Sequence, residues 1–139
     1  MQPNTIAYTY DHDNDGGSTA AVAVTQTRFA EELNKSTYRT AAHNTTVQTD
    51  TLNFYRTLAK RSGEYLGSEK TALKRTKTHV VENASGLDIK APAIADLSFS
   101  FPVGVSAADK LAFYMELVGF LASSEGKAAM INLINVQEI

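Results

Sequence analysis

The 139-residue chain contains no cysteine, which excludes disulfides, thiolate metal sites and cysteine nucleophiles together. It also lacks the roughly 18 to 20 consecutive apolar residues that a membrane-spanning helix needs, so no membrane partner is expected. No basic stretch followed by an apolar core and a small-residue cleavage site opens the sequence, and without that secretory pattern synthesis in a cytosol is the expectation. Glycine-rich phosphate loops, nucleophile elbows and motif-placed carboxylate pairs are missing as well. His12, His43 and His79 are scattered without ligand spacing, so they read as strand or surface histidines. No cofactor and no catalysis are expected. The sequons at Asn34, Asn44 and Asn83 are chance matches in a chain rich in Asn and Thr.

What is present is ordinary in total and uneven in distribution. A net charge of −2 and 43% hydrophobic residues suit a globular protein, and the length suits one domain, residues 1–139, with one core. Between Asp50 and His79, however, lie Arg56, Lys60, Arg61, Lys70, Lys74, Arg75 and Lys77 against only Asp50, Glu64 and Glu69. Residues 1–33 carry Asp11, Asp13, Asp15, Glu31 and Glu32 against Arg28 alone. Such segregation admits a polyanionic partner.

Hydrophobic alternation places the elements. Thr5–Tyr10 and Thr19–Thr25 are β-prone runs joined by turn-forming residues 11–18, a hairpin over about 4–26. Arg28–Asn34 reads as a helical turn or an irregular crossing, and Ser36–Ala42 as a short strand. Thr51–Arg61 alternates with Leu52, Phe54 and Leu58 on one face and Asn53, Tyr55, Thr57 and Arg61 on the other. After Gly63 and Gly67 turn the chain, Thr71–Glu82 returns antiparallel. Its facing is ambiguous: Lys74, Thr76 and Thr78 share one parity, but Arg75, Lys77 and His79 share the other, and a bulge would reverse the assignment. Residues 83–92 form a loop. Ile94–Pro102 then alternates strictly, Leu97, Phe99 and Phe101 against Asp96, Ser98 and Ser100. The expected fold is α+β: an amino-terminal β-hairpin and an antiparallel sheet of about five strands over about 36–103, followed by two carboxy-terminal helices over about 106–136.

Ser106 is an N-cap with Asp109 three residues on, opening a helix to about Leu121. Leu111, Tyr114, Leu117, Val118 and Leu121, with Phe113 and Phe120, give it a broad apolar face. A second short helix, Ala128–Val136, carries Met130, Ile131, Leu133 and Ile134. Two arrangements bury so apolar a pair: the helices cover the chain's own sheet, or they reach across to a second copy in an interlocked homodimer. Either leaves a polar sheet face of hydroxyls, amides, one ring and cations. That face is either simply solvated or suited to single-stranded RNA, whose splayed bases stack and hydrogen-bond while cations hold phosphates.

In the order of its elements the sequence resembles the coat proteins of single-stranded RNA bacteriophages of levivirus type. The resemblance runs through almost the whole length. It is carried by Thr5–Thr25 as an Asp-Gly-Gly-turned hairpin, by Leu97-Ser-Phe-Ser-Phe-Pro102 as the last strand, and by Lys110-Leu-Ala-Phe-Tyr-Met-Glu-Leu as the first helix. It implies a homodimer whose sheets join edge to edge, with helices over the partner's sheet through Leu111, Tyr114, Leu117, Val118, Leu121, Met130, Ile131 and Ile134. It further implies an icosahedral capsid assembled in the bacterial host cytoplasm, with residues 83–93 contacting symmetry axes. The inner face would bind genomic RNA, and in many members an operator hairpin that represses translation, through Asn53, Tyr55, Thr57, Arg61, Lys74, Thr76, Thr78, Ser98 and Ser100. Asp96 departs from that pattern, since a carboxylate opposes phosphate.

Asp11-His-Asp-Asn-Asp-Gly16 matches half of a calcium loop, but Val22 stands where the loop needs a bidentate Glu and the flanks read as strands. Asp11, Asp13 and Asp15 therefore remain candidates only for a calcium contact between neighbouring subunits. Two other readings stand beside the capsid: a dimeric sheet-based RNA-binding module, and a small α+β enzyme or ligand-binding domain with a pocket between sheet and helices.

Overall fold

The computed structural model describes residues 2–11, 21–44 and 47–135, the side chains of Asp11, Ile134 and Asn135 excepted. Six strands make one sheet in sequence order: β1 (Thr5–Asp11), β2 (Ala21–Glu32), β3 (Lys35–Arg39), β4 (Asp50–Thr57), β5 (Ser68–Glu82) and β6 (Asp88–Pro102). Two helices follow, α1 (Ala107–Ala122) and α2 (Ser124–Asn135). The α+β architecture is as expected, with six strands instead of about five because the hairpin continues the sheet. The chain divides into two compact units, Met1–Ser100 and Phe101–Ile139. No helix among the described residues is long and apolar enough to cross a membrane.

In the first unit, β1 to β5 pair antiparallel, each with the next. Alternation then sorts the side chains. Ile6, Tyr8, Val24, Gln26, Tyr38, Leu52, Phe54 and Leu73 share one face; Thr5, Thr25, Thr27, Thr37, Thr51, Asn53 and Lys74 share the other. Tyr38 and Leu52 are the buried hydrophobic residues, and the Tyr38 ring meets Phe54 edge-on at 5.7 Å. The Tyr38 hydroxyl donates to the Pro3 carbonyl at 2.5 Å. Burial holds this phenol above its ordinary pKa.

Four segments differ from the sequence reading. β2 runs on through Arg28–Glu32, where a helical turn or irregular crossing was expected, because a bulge between Arg28 and Ala30 inserts Phe29 and breaks the alternation that marks a strand. β4 ends at Thr57, so Arg61 lies in the connection to β5 and donates its Nε–H to the Gly63 carbonyl at 2.9 Å. β5 starts at Ser68 and pairs without a register shift from Lys70 to Lys77, so no bulge reverses its facing there. The loop before β6 shrinks to residues 83–87, since the Asn83 side chain accepts the Ser85 and Leu87 amides and Gly86 takes φ 73°. Pro92 thus sits within β6, the last strand of the sheet, where a missing donor is tolerated.

In the second unit, the Ser106 hydroxyl accepts the Asp109 amide at 3.1 Å and donates to the Asp109 carboxylate at 2.7 Å, capping α1 as its sequence requires. α2 begins four residues earlier than its apolar run suggests. Ser123 explains this by serving both helices: its amide donates to the Gly119 and Phe120 carbonyls, and its hydroxyl accepts the Gly126 amide at 3.0 Å. A Cβ at Gly126 would stand 1.9 Å from the Phe120 carbonyl oxygen, so no other residue fits. The Phe101 and Phe113 rings pack edge-on at 5.8 Å.

Ser106→Ala is expected to cost about 1 kcal/mol in urea unfolding, whereas Ser106→Asp, which retains an acceptor, should cost less. Equal losses would show that the cap is not what holds the α1 terminus.

Candidate nucleic-acid interface

Three of the strands bring most of the candidate residues to one face. Asn53, Tyr55 and Thr57 on β4 oppose Lys74, Ala72 and Lys70 on β5, and Thr51 opposes Thr76. Lys74 Nζ lies 4.0 Å from the Asp96 carboxylate, which brings the Asp96, Ser98 and Ser100 parity of β6 beside that face. Asp96, Ser98 and Ser100 are exposed. Arg61 is the exception, displaced to the connection described above.

Not every member is free to meet a ligand. Asn53 is buried at 9% exposure, its Oδ1 accepting from the Thr37 hydroxyl at 2.8 Å. Thr78 is engaged too, since its hydroxyl accepts the Thr49 amide at 2.9 Å and its own amide donates to the Thr49 carbonyl. Both are framework for the face. Tyr55, Thr57 and Ser98 present more surface.

The basic stretch is divided between the two faces, Lys77 falling opposite Asp50 on the Leu52 side. Arg75 and Arg56 fall on the Leu52 side, where their forked donors serve structure. Arg75 forms an ion pair with buried Asp50 and donates to the Thr51 carbonyl at 3.1 Å; Arg56 donates to the Leu33 carbonyl at 3.2 Å. The Asp50 carboxylate also accepts from the Thr40 hydroxyl at 2.8 Å. Lys70 and Lys74 fall on the Asn53 side. Lysine on a threonine-rich, half-exposed face supplies mobile point charges, an arrangement that holds phosphates without fixing a sequence.

Sequence reasoning missed the part of the face contributed by β2 and β3. Lys35 and Thr37 oppose Tyr55 and Asn53, and Lys35 Nζ sits 5.6 Å from the centre of the Tyr55 ring. Arg39 opposes Thr51, and its guanidinium lies 4.4 Å from the Phe29 ring. Two cation–aromatic pairs therefore bracket Thr37 and Asn53. The Lys-Ser and Tyr-Arg steps at the two ends of β3 carried this signal, but the bulge at Phe29 hid the ring that Arg39 meets.

The expected dimer surface is also open. α1 has no buried residue, with Leu111 at 60% and Tyr114 at 43% exposure. Leu121, Met130 and Ile131 are exposed, Leu117 and Val118 are half-buried, and the Ile134 side chain lies outside the described residues. Phe113, Met115, Phe120 and Leu133 are exposed as well. The calcium candidates Asp13 and Asp15 and the Asp11 side chain fall outside the described residues. No group of three His, Asp or Glu among the described residues is placed to hold a metal ion.

No protein-family model and no curated protein matches the sequence. Solved structures do match its fold. The subunit of the virus-like particle of bacteriophage AVE019 is similar at TM-score 0.70 and 17% identity, over 89% of this chain and 90% of that one. The virus-like particle of Wenzhou levi-like virus 4 gives TM-score 0.61 and 23% identity over 86% and 80%. The bacteriophage EMS014 coat protein gives 0.61 and 16% over 87% and 74%. The fold is that of levi-like phage coat proteins.

The division into framework and contact residues has a measurable consequence. Asn53→Ala should lose about 1 to 2 kcal/mol of stability by stranding Thr37, while Asp96→Asn, breaking an exposed pair, should change it by less than about 0.5 kcal/mol. Thermal unfolding of the two variants checks both, and a large loss in Asp96→Asn would mean that the pair is structural.

Proposed function

We propose that this chain is the coat subunit of a single-stranded RNA phage: a homodimer that assembles into an icosahedral shell, faces packaged genomic RNA with its threonine- and lysine-bearing sheet face, and has no catalytic role. The observation that carries this reading is the fold match to virus-like-particle subunits over about nine-tenths of both chains. The same shell reading implies residence in the virion, with assembly in the bacterial cytoplasm.

Exposed area supports a second copy. Leu111, Phe113, Met115, Phe120, Met130, Ile131 and Leu133 on α1 and α2 are exposed, side chains of a kind that each gain about 1.5 to 3 kcal/mol on burial. Helices that exchange across a two-fold axis would cover them.

RNA as the partner rests on the chemistry of the Asn53 face. Its lysines neutralise phosphates, its hydroxyls bond sugars and base edges, and Tyr55 offers a stacking ring. Asp96 tempers this by holding Lys74. Recognition of an operator hairpin for translational repression is the finer form of the same proposal, and Ser98, Ser100 and Thr76 are the side chains placed to read bases.

Expression in bacteria followed by electron microscopy should give uniform particles whose contents absorb as nucleic acid; a native monomer without particles overturns the proposal. Lys74→Ala should weaken RNA binding and lower the slope of log affinity against log salt by about one, with Arg61→Ala having the smaller effect. Unchanged RNA content and salt dependence in Lys74→Ala would assign packaging to another surface.

A further inference from the structure

A cleft lies at the end of β3 remote from Lys35, where Arg39 of the Asn53 face meets residues outside that face. It has a volume of about 560 Å³ and is lined by Arg39, His43, Asn44, Val47, Gln48 and two alanines. Cavities of roughly 300 to 1,000 Å³ take small organic ligands. Three features give this one a definite chemistry. The bulge in β2 delivers Phe29 beneath Arg39, so the guanidinium rests 4.4 Å from that ring while lining the cleft. Among the described residues no carboxylate forms an ion pair with Arg39, unlike Arg28 and Arg75, which pair with Glu31 and Asp50. His43 Nδ1 accepts the Asp50 amide at 3.1 Å, which leaves the ring proton on Nε2, and its ring lies 6.2 Å from Phe29.

We propose that Phe29, Arg39 and His43 form a separate subsite for one unpaired nucleotide of RNA, the base stacking on the Arg39 guanidinium and the phosphate taking hydrogen bonds from Arg39 and His43 Nε2–H. This rests on the RNA-facing role proposed above for the same sheet face. A guanidinium resting on an aromatic ring offers its plane to any base, so the subsite selects single strands over duplex and not one sequence over another. Its position beyond Thr37 and Asn53 lengthens the RNA track across β3. A point charge alone would not need the ring, and Phe29 remains half exposed at 50% to provide it.

The test uses the full chain and short single-stranded RNA containing 2-aminopurine, whose fluorescence falls on stacking. Wild-type protein should quench it. Arg39→Lys keeps the charge and loses the plane, so its salt slope should persist while quenching disappears and affinity drops about tenfold; Phe29→Leu should lower both quenching and affinity by less. Arg39→Lys indistinguishable from wild type overturns the subsite, as does photo-crosslinking that joins the cleft to a second copy of this chain and not to RNA. Lys74→Ala separates the two levels of argument. Weakened binding there with Arg39→Lys unaffected rejects the subsite alone, whereas no RNA binding by wild-type protein rejects the face.

Discussion

Everything in the first unit depends on an unslipped antiparallel ladder. From β3 through β5 the register holds residue for residue, and a slip of one position would exchange the threonine and lysine side for the tyrosine and leucine side. The ion pair between Arg75 and buried Asp50 helps to pin that register. An unpaired carboxylate at this site would cost several kcal/mol, so a β5 shifted by one, with Arg75 on the far side, is strongly disfavoured. Thus one buried charge pair on one face fixes which residues appear on the other.

Three arginines on the Leu52 side show why that residue suits a half-buried surface. Arginine can enter a half-buried surface because its fork satisfies several acceptors at once, and Arg75, Arg56 and Arg28 each bond backbone carbonyls. Lysine has no such fork; Lys70 and Lys74 lie on the threonine-bearing side, while Lys77 shares the Leu52 side.

Much of this was legible in the sequence. The alternation of Leu97, Phe99 and Phe101 with Asp96, Ser98 and Ser100, and the Ser106–Asp109 cap, are local signals with no competitor, and both are present as expected. The facing of β5 was not legible because Lys and Arg occupy both parities, and only the position of Asp50 on the neighbouring strand decides between them. β2 was obscured for a different reason: an inserted Phe29 mimics neither a helical nor a strand period. Residues of β3 were too few for alternation to speak, and with them went Lys35, Thr37 and Arg39. Arg61 was misplaced because the parity of β4 continues in the sequence after its hydrogen bonds stop.

The junction of α1 and α2 carries one last implication. At Gly126 the helices meet through main-chain atoms, a carbonyl against a bare α-carbon, so the bend between them is written into the backbone and not into the greasy residues on either side. Those residues can drift among Leu, Met, Phe and Ile over generations while the elbow keeps its angle. A lineage of such proteins would then diverge almost beyond recognition in letters and still present the same arm.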